Sequence, residues 1–495
     1  MAIEDKDLRS IQEARELLRK ARTAQKALEA LSQEKVDAIV GAMAEAGERE
    51  AERLARMAAD ETGFGNAADK KTKNLFAVRT IYSAIKDMKT VGIIRKDEAN
   101  KLWEIAQPFG VICGIVPSTN PTSTTMYKAL ISIKTRNAIV FSPHPSALAC
   151  TLEAARIMQS AVERAGGPKD AVACMTEPTM EATQELMKSR LSDLILATGG
   201  TPMVRSAYSS GKPAYGVGPG NVPVYIHQSA KVKEAVRRIF ESKTFDYGTI
   251  CASEQAIVTD RAVKTQVMEQ IRANGGYMLN PEEKSKVASV ILAGGRLNPN
   301  IVGRSATLIA EMAGIAVPAG TRILVAEETE IGKAVPFSLE KLCPILALYT
   351  CDNWRDGCLT CTKLLENGGL GHSLGIHCEE MDVIEAFGLE KPASRIIVNA
   401  GTTFGAIGAT SGIFPSLTLG CGSYGHNITS DNVGPMHLIN IKRVAFGLRE
   451  MELENRVDQA ARQVESKLAA EISRDEVKDI IRKVLEEIQA GHSSL

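Results

Sequence analysis

The residues of this chain best placed for covalent chemistry lie in Thr244-Phe245-Asp246-Tyr247-Gly248-Thr249-Ile250-Cys251-Ala252-Ser253-Glu254. One cysteine stands in a short glycine-containing loop, directly before the apolar run 255–258. A thiol in such a loop is reachable by a substrate; a thiol inside the run is not. If the residues after Cys251 open a turn or short helix, free backbone N–H groups there favour the thiolate, the reactive form. Taken alone, any one of the ten cysteines reads as a small buried residue. A second loop, Pro117-Ser118-Thr119-Asn120-Pro121, adds to the case for Cys251. Two prolines stiffen it and hold Asn120 in a fixed pose. A fixed side-chain amide is what an oxyanion needs, although the pattern by itself is also that of an ordinary Asn-Pro turn.

Such side chains need a scaffold. From Gly110 onward, apolar runs at 111–116, 138–141, 171–175, 194–197 and 222–226 alternate with stretches of helical composition at 126–133, 148–165 and 180–189. This alternation predicts parallel α/β architecture, with ligands in the loops at the carboxyl ends of strands. One such loop is Ser142-Pro143-His144-Pro145, where His144 is within reach of a ligand or merely solvated. Another is Thr198-Gly199-Gly200-Thr201, where glycines ahead of a helix suit a phosphate or a close backbone approach. The glycine-rich turn at 216–221, which contains Gly218, carries no acid. Beyond Cys251 a second α/β unit is expected, with strands at 255–258, 322–325, 345–349, 374–377 and 395–398. Glu340 lies just before Pro344 and one of these strands, placed to accept hydrogen bonds from a sugar hydroxyl.

Residues 5–58 read as helices that pack, with Ser32 capping the second. Cys358 and Cys361 form a CxxC, but on an amphipathic helix over 354–365 and with no second CxxC, so packing is favoured over zinc. A strand from about 438 to 444 is suited to pairing across a subunit interface. At the end, Ser473 and Glu476 form a capping box, and Val477, Ile480, Ile481, Val484, Leu485 and Ile488 follow helical spacing, with Gly491 in the stop position. That stripe wants a partner, on its own subunit or on another protein. Lys plus Arg and Asp plus Glu are 59 each, which predicts neither nucleic acid nor an anionic membrane as partner. With no apolar leader or spanning stretch, the cysteines are expected to be reduced thiols in the cytosol.

The chain resembles the aldehyde dehydrogenase superfamily, and within it the CoA-acylating branch. The motifs that carry the likeness are KTFDYGTICASEQ around Cys251, PSTNPT around Asn120, FSPHPSA, LILATGGTPMV, GKPAYGVGPGNVPV, EKLCP at Glu340, LTLGCGSYGHN and DNVGPMHLIN, over roughly residues 10–446. The resemblance implies Cys251 as nucleophile and Asn120, with the Cys251 backbone N–H, as oxyanion hole. It implies Glu340 on the nicotinamide ribose and Thr198, Gly199, Gly200 and Thr201 beside the dinucleotide, with Pro117, Ser118, Ser142, His144 and Gly218 as further cofactor contacts. Hydrolytic members carry a lysine where Ser142 stands, which leaves NAD or NADP open. They also carry a glutamate near Val217 that activates water. Its absence here favours CoA as acyl acceptor, because a thiol needs less help than water. The implied reaction converts a short-chain aldehyde, acetaldehyde or propionaldehyde before a sulfonated one, to acyl-CoA with reduction of NAD; a catalytically silent scaffold is the contrasting reading. The implied layout is a Rossmann-type cofactor domain with N-terminal helices (1–229, with 101–117 in an oligomerisation arm), an α/β catalytic domain (230–413), a return segment and oligomerisation strand (414–446) and a helical tail (447–495). A homodimer or homotetramer is implied, and 473–491 resembles an encapsulation peptide of a bacterial microcompartment.

Overall fold

The computed structural model describes residues 5–449, 451 and 456–491. Two long helices open it, Lys6–Glu29 and Gln33–Thr62. Asp5 and Ser32 cap them, each side chain accepting from a backbone N–H three residues on. Leu18, Leu28, Val36 and Ile39 on these helices are fully buried, as the apolar spacing predicts, whereas Leu8, in the first turn, is exposed.

Buried parallel strands are covered on both faces, so they read as continuous apolar runs. Five of them form an all-parallel sheet in the order Val172–Cys174, Ala138–Pro143, Val111–Val116, Leu194–Thr198, Ala214–Val217. The chain enters at the middle strand, winds to one edge, then returns to fill the other. The topological switch therefore lies between Val111–Val116 and Leu194–Thr198, where a ligand crevice is expected. Gly216 and Val217, which the sequence places in a turn, end the fifth strand instead.

The second sheet has seven parallel strands in the order Gly276–Met278, Ile323–Glu327, Ile345–Cys351, Glu254–Asp260, Val222–Ile226, Gly371–His377, Ala393–Val398. Val222–Ile226 belongs here, between Glu254–Asp260 and Gly371–His377, and not with the first five strands it follows in the chain. Nothing in an apolar run marks its partner, which is why the sequence groups this strand wrongly. The segment 101–117 also divides. Leu102–Pro108 joins Gly92–Asp97 and Ile439–Ala445 in a small three-stranded sheet, whereas Val111–Val116 is the centre of the five-stranded one.

The contacts divide the described residues into two compact units, one made of the chain up to Arg95 with Glu104–Lys442, the other of Lys96–Trp103 with the chain from Arg443 onward. Both parallel sheets fall in the first. In the second, Trp103 meets Phe446 edge-on with ring centroids 5.3 Å apart, and Lys96 lies over the Trp103 ring. The helices Arg456–Glu471 and Arg474–Gly491 also belong to it. Ser473 and Glu476 form both bonds of the expected capping box, while Gly491 is the last helical residue and not the one after it.

Candidate active site

Three adjacent strands of the seven-stranded sheet bring their amino ends together: Glu254–Asp260, Val222–Ile226 and Gly371–His377. Onto those ends fall Cys251, Gly220 and His372. The cysteine is therefore at the amino end of its strand, as its place just before the run 255–258 implies. Cys251 Sγ lies 3.1 Å from His372 Nε2. His372 is wholly buried, and its Nδ1 lies 3.1 Å from Ser373 Oγ. Arg395 fixes the pair from behind, donating from Nε to Ser373 Oγ and from Nη2 to the carbonyls of His372 (2.9 Å) and Gly420 (2.7 Å). In the tautomer whose Nδ1–H donates to Ser373, Nε2 is the acceptor that faces the thiol. Gly220 permits the close approach: a Cβ there would lie 2.2 Å from the Cys251 carbonyl oxygen and 3.1 Å from the His372 ring.

The electrostatics differ from the thiolate that the sequence suggests. Burial pushes the Cys251 thiol up to about 12, with Glu340 and Cys421 adding to the effect and Arg395 opposing it. Burial, helped by Arg395, pushes His372 down to about 3. At neutral pH both partners are uncharged, so the backbone N–H groups near Cys251 do not produce a resting thiolate. His372 Nε2, 3.1 Å away, is the group in contact with the thiol, yet at about 3 it does not hold the proton at rest and can take it only as the S–C bond forms. Glu340 accepts from Gly220 N–H at 2.9 Å. Its carboxyl is pushed up to about 7 by burial, against the pull of that N–H, Lys243 and Lys341.

Asn120 comes from the first sheet, at the turn between Val111–Val116 and the helix Pro121–Lys134, and its side chain does not cap that helix. Its Nδ2 donates to Thr119 Oγ1 at 3.1 Å and lies 3.5 Å from the carbonyl oxygen of Thr249, two residues before Cys251. Its Oδ1 accepts from Lys73 Nζ. The amide is thus pinned by its oxygen, with the NH₂ toward the cysteine loop.

A cavity of about 600 Å³ opens at the switch point of the five-stranded sheet. Pro117, Ser142, His144, Thr198, Gly199 and Gly200 line it. Thr198 Oγ1 is buried there without a partner, and Gly199 and Gly200 precede the helix Thr201–Tyr208. An orphaned hydroxyl and two residues without Cβ at a strand's carboxyl end fit a dinucleotide. Ser142 Oγ is taken by Thr183 Oγ1 at 2.7 Å, and His144 Nδ1 caps a short helical turn through Ser146. Ser118 and Thr201 are next to lining residues but do not line the cavity, and Glu340 and Gly218 lie on the cysteine side. Cys358 and Cys361 are buried on the helix Trp354–Glu366, and no metal-holding group of His, Cys, Asp and Glu occurs among the described residues.

Sequence reasoning passed over His372, Gly220, Arg395 and Lys73. The signal for His372 was a Gly-His pair at the mouth of a strand, hidden by the apolar residues after it.

A doubly wound sheet with a dinucleotide-sized cavity, joined to a second sheet that presents a cysteine beside an asparagine amide, is the arrangement of an aldehyde dehydrogenase. A profile of the aldehyde dehydrogenase family matches residues 6–291, and the chain belongs to that family. It is 46% identical over 441 residues to an aldehyde-alcohol dehydrogenase of Clostridium acetobutylicum, covering 88% of this chain and 51% of that protein. The chain thus spans about half the length of such relatives. A crystal structure of an acetylating aldehyde dehydrogenase from Geobacillus thermoglucosidasius superposes with a TM-score of 0.91 at 62% identity, covering 91% of this chain and 100% of that one. A propionaldehyde dehydrogenase from the Clostridium phytofermentans fucose utilisation bacterial microcompartment superposes with a TM-score of 0.79 at 27% identity, covering 88% and 97%.

Proposed function

We propose that this protein is a CoA-acylating aldehyde dehydrogenase that takes a short-chain aldehyde, acetaldehyde or propionaldehyde, to its acyl-CoA. The observation that carries the reading is the 3.1 Å contact of Cys251 Sγ with His372 Nε2, beside a segment, 216–221, that holds no acid. Cys251 Sγ attacks the aldehyde carbon as its proton passes to His372 Nε2. Asn120 Nδ2 and the Cys251 backbone N–H donate to the resulting alkoxide, each such donor contributing about 3 kcal/mol in comparable sites. Thr198, Gly199 and Gly200 would hold the dinucleotide and Glu340 its nicotinamide ribose; bound NAD would supply the acceptor for the hydride that leaves the alkoxide. The thioester left on Cys251 has no carboxylate on segment 216–221 to activate water, so a thiol, that of CoA, removes the acyl group. The test is NADH formation from a panel of short aldehydes, with and without CoA. Turnover that needs CoA supports the reading, and equal turnover without it overturns it.

The tail supports a second role in the same protein, as microcompartment cargo. Val477, Ile480, Ile481, Val484, Leu485 and Ile488 make one stripe on a capped helix, each 42–55% exposed. Such a stripe is suited to a groove on a shell or cargo protein. A reporter fused to 448–495 is expected to collect in compartments, and a diffuse reporter in compartment-forming cells refutes this role. Pairing of two or four copies through the strand Ile439–Ala445, at an edge of the small sheet, belongs to the same proposal, with the oligomer's mass as its measurement.

A further inference from the structure

Beneath the cysteine loop lies a buried polar cluster that the chemistry above does not use. Lys70, Lys73, Asp246 and Thr249 are each 4% exposed or less. Asp246 Oδ2 receives Lys70 Nζ at 3.0 Å, Thr249 Oγ1 at 2.8 Å and Lys73 Nζ. Asp246 Oδ1 receives the backbone N–H of Asn66 at 2.8 Å, and its own N–H donates to Asp69 Oδ2 at 2.7 Å. Its backbone is left-handed, with φ 47°, and so is that of Tyr247, with φ 51°. Non-glycine residues hold such a conformation only where the surroundings over-determine it. Gly65 makes room, since a Cβ there would lie 1.7 Å from Asp246 Oδ1.

The two lysines share the carboxylate but differ in what else they touch. Lys70 Nζ donates to the carbonyl of Thr119 at 3.1 Å. Lys73 Nζ donates to Asn120 Oδ1 and, at 2.9 Å, to Thr249 Oγ1. An ammonium has donors only, so it accepts the amide oxygen and rejects the amide NH₂. Contact with Lys73 therefore decides which end of the Asn120 carboxamide faces the cysteine. A flipped amide would aim its oxygen at a developing oxyanion and repel it.

We propose that Lys73 is a positioning residue for the oxyanion hole, holding Asn120 by its oxygen so that Nδ2 stays turned toward the oxyanion that forms on the carbon bound to Cys251. The inference rests on the roles proposed above for Cys251 and Asn120. It is separable from the dehydrogenase reading, because acylation of the thiol by an activated ester passes through the same oxyanion without NAD or CoA. With p-nitrophenyl acetate, a Cys251 S–C bond forms, the ester C–O bond breaks, p-nitrophenolate leaves, and the thiol proton goes to His372. The burst of p-nitrophenolate is read on the full chain.

Lys73→Met leaves Asp246 paired with Lys70, so no buried charge is orphaned, and Lys70→Met is the matched control. Losing one oxyanion donor costs roughly 10²–10³ in comparable sites, so misaiming it in Lys73→Met is expected to slow the burst by about 10–100-fold. Lys70→Met is expected to stay within about threefold of the parent chain while lowering the thermal midpoint by a similar amount. In the Asn120→Ala background, Lys73→Met is expected to add no more than about twofold, the mark of a residue that acts through Asn120. Full multiplication of the two effects overturns the proposal, as does equal slowing in both lysine variants. An Asn120→Ala chain with an unchanged burst overturns the oxyanion role itself. A normal burst in the parent chain with no CoA-dependent NADH removes the dehydrogenase reading and leaves the role of Lys73 standing.

Discussion

Replacing His372 by alanine is the sharpest test of how the nucleophile is activated. In the folded chain the thiol is pushed up to about 12 and the imidazole down to about 3. Between those limits the resting pair is thiol plus neutral base, so the burst rate of the parent chain is expected to be flat from about pH 6 to 9. Without the imidazole, acylation depends on thiolate drawn from bulk equilibrium. A positioned general base is typically worth about 10²–10⁴, so the variant is expected to be slower by up to that factor at neutral pH. Its rate should climb about tenfold per pH unit, so that the deficit narrows in alkali. Stopped-flow measurement of the p-nitrophenyl acetate burst across that range gives both numbers. The reasoning fails if His372→Ala stays within about threefold of the parent at neutral pH, or if the parent already shows unit slope.

Other outcomes follow from the same geometry. Cys251→Ala is expected to abolish CoA-dependent NADH formation, and activity near that of the parent places the nucleophile elsewhere. Gly220→Ala puts a Cβ 2.2 Å from a backbone oxygen that has no rotamer to escape into, and is expected to lose about 1–3 kcal/mol of stability together with the burst, both readable on one preparation. Glu340 is held up to about 7, so the fold favours its neutral form. That contribution is complete below about pH 4.5 and is lost as pH rises through about 7, with an upper bound of about 3 kcal/mol that solvent reduces. Denaturant midpoints of the parent chain are thus expected to fall relative to Glu340→Gln between about pH 5 and 8, and parallel curves refute the assignment. The same substitution removes a negative charge that raises the Cys251 thiol, so alkylation of Cys251 is expected to speed up at fixed pH.

Much of the fold was legible because buried parallel strands announce themselves as unbroken apolar runs, and all ten runs identified in the sequence correspond to strands. Cys251 and Asn120 were legible for a different reason, since each sits in a loop whose neighbours limit its motion. What escaped was anything defined by partners far off in the chain. Val222–Ile226 has the same composition whichever sheet it joins. His372 lies just ahead of the run read at 374–377, and nothing local marks a residue there as facing a cysteine 121 positions away. Lys73 lies on a short polar helix, and only the fold brings Asp246 over it. The resting state of the thiol was misjudged on the same account: local N–H groups are visible in a sequence, but the atoms that strip water from a sulfur are not. The strands Gly92–Asp97 and Leu102–Pro108, half-exposed and polar, gave no run to read.

The protonated resting sulfur of Cys251 has a consequence for durability. Peroxides and stray electrophiles attack thiolates, and a site that holds its sulfur as S–H until a carbonyl is seated offers them little. In a protein that works on reactive carbonyl compounds, as proposed above, this would keep its own side chain out of adventitious adducts. Resistance to oxidants and readiness to attack a substrate would then turn on one and the same proton.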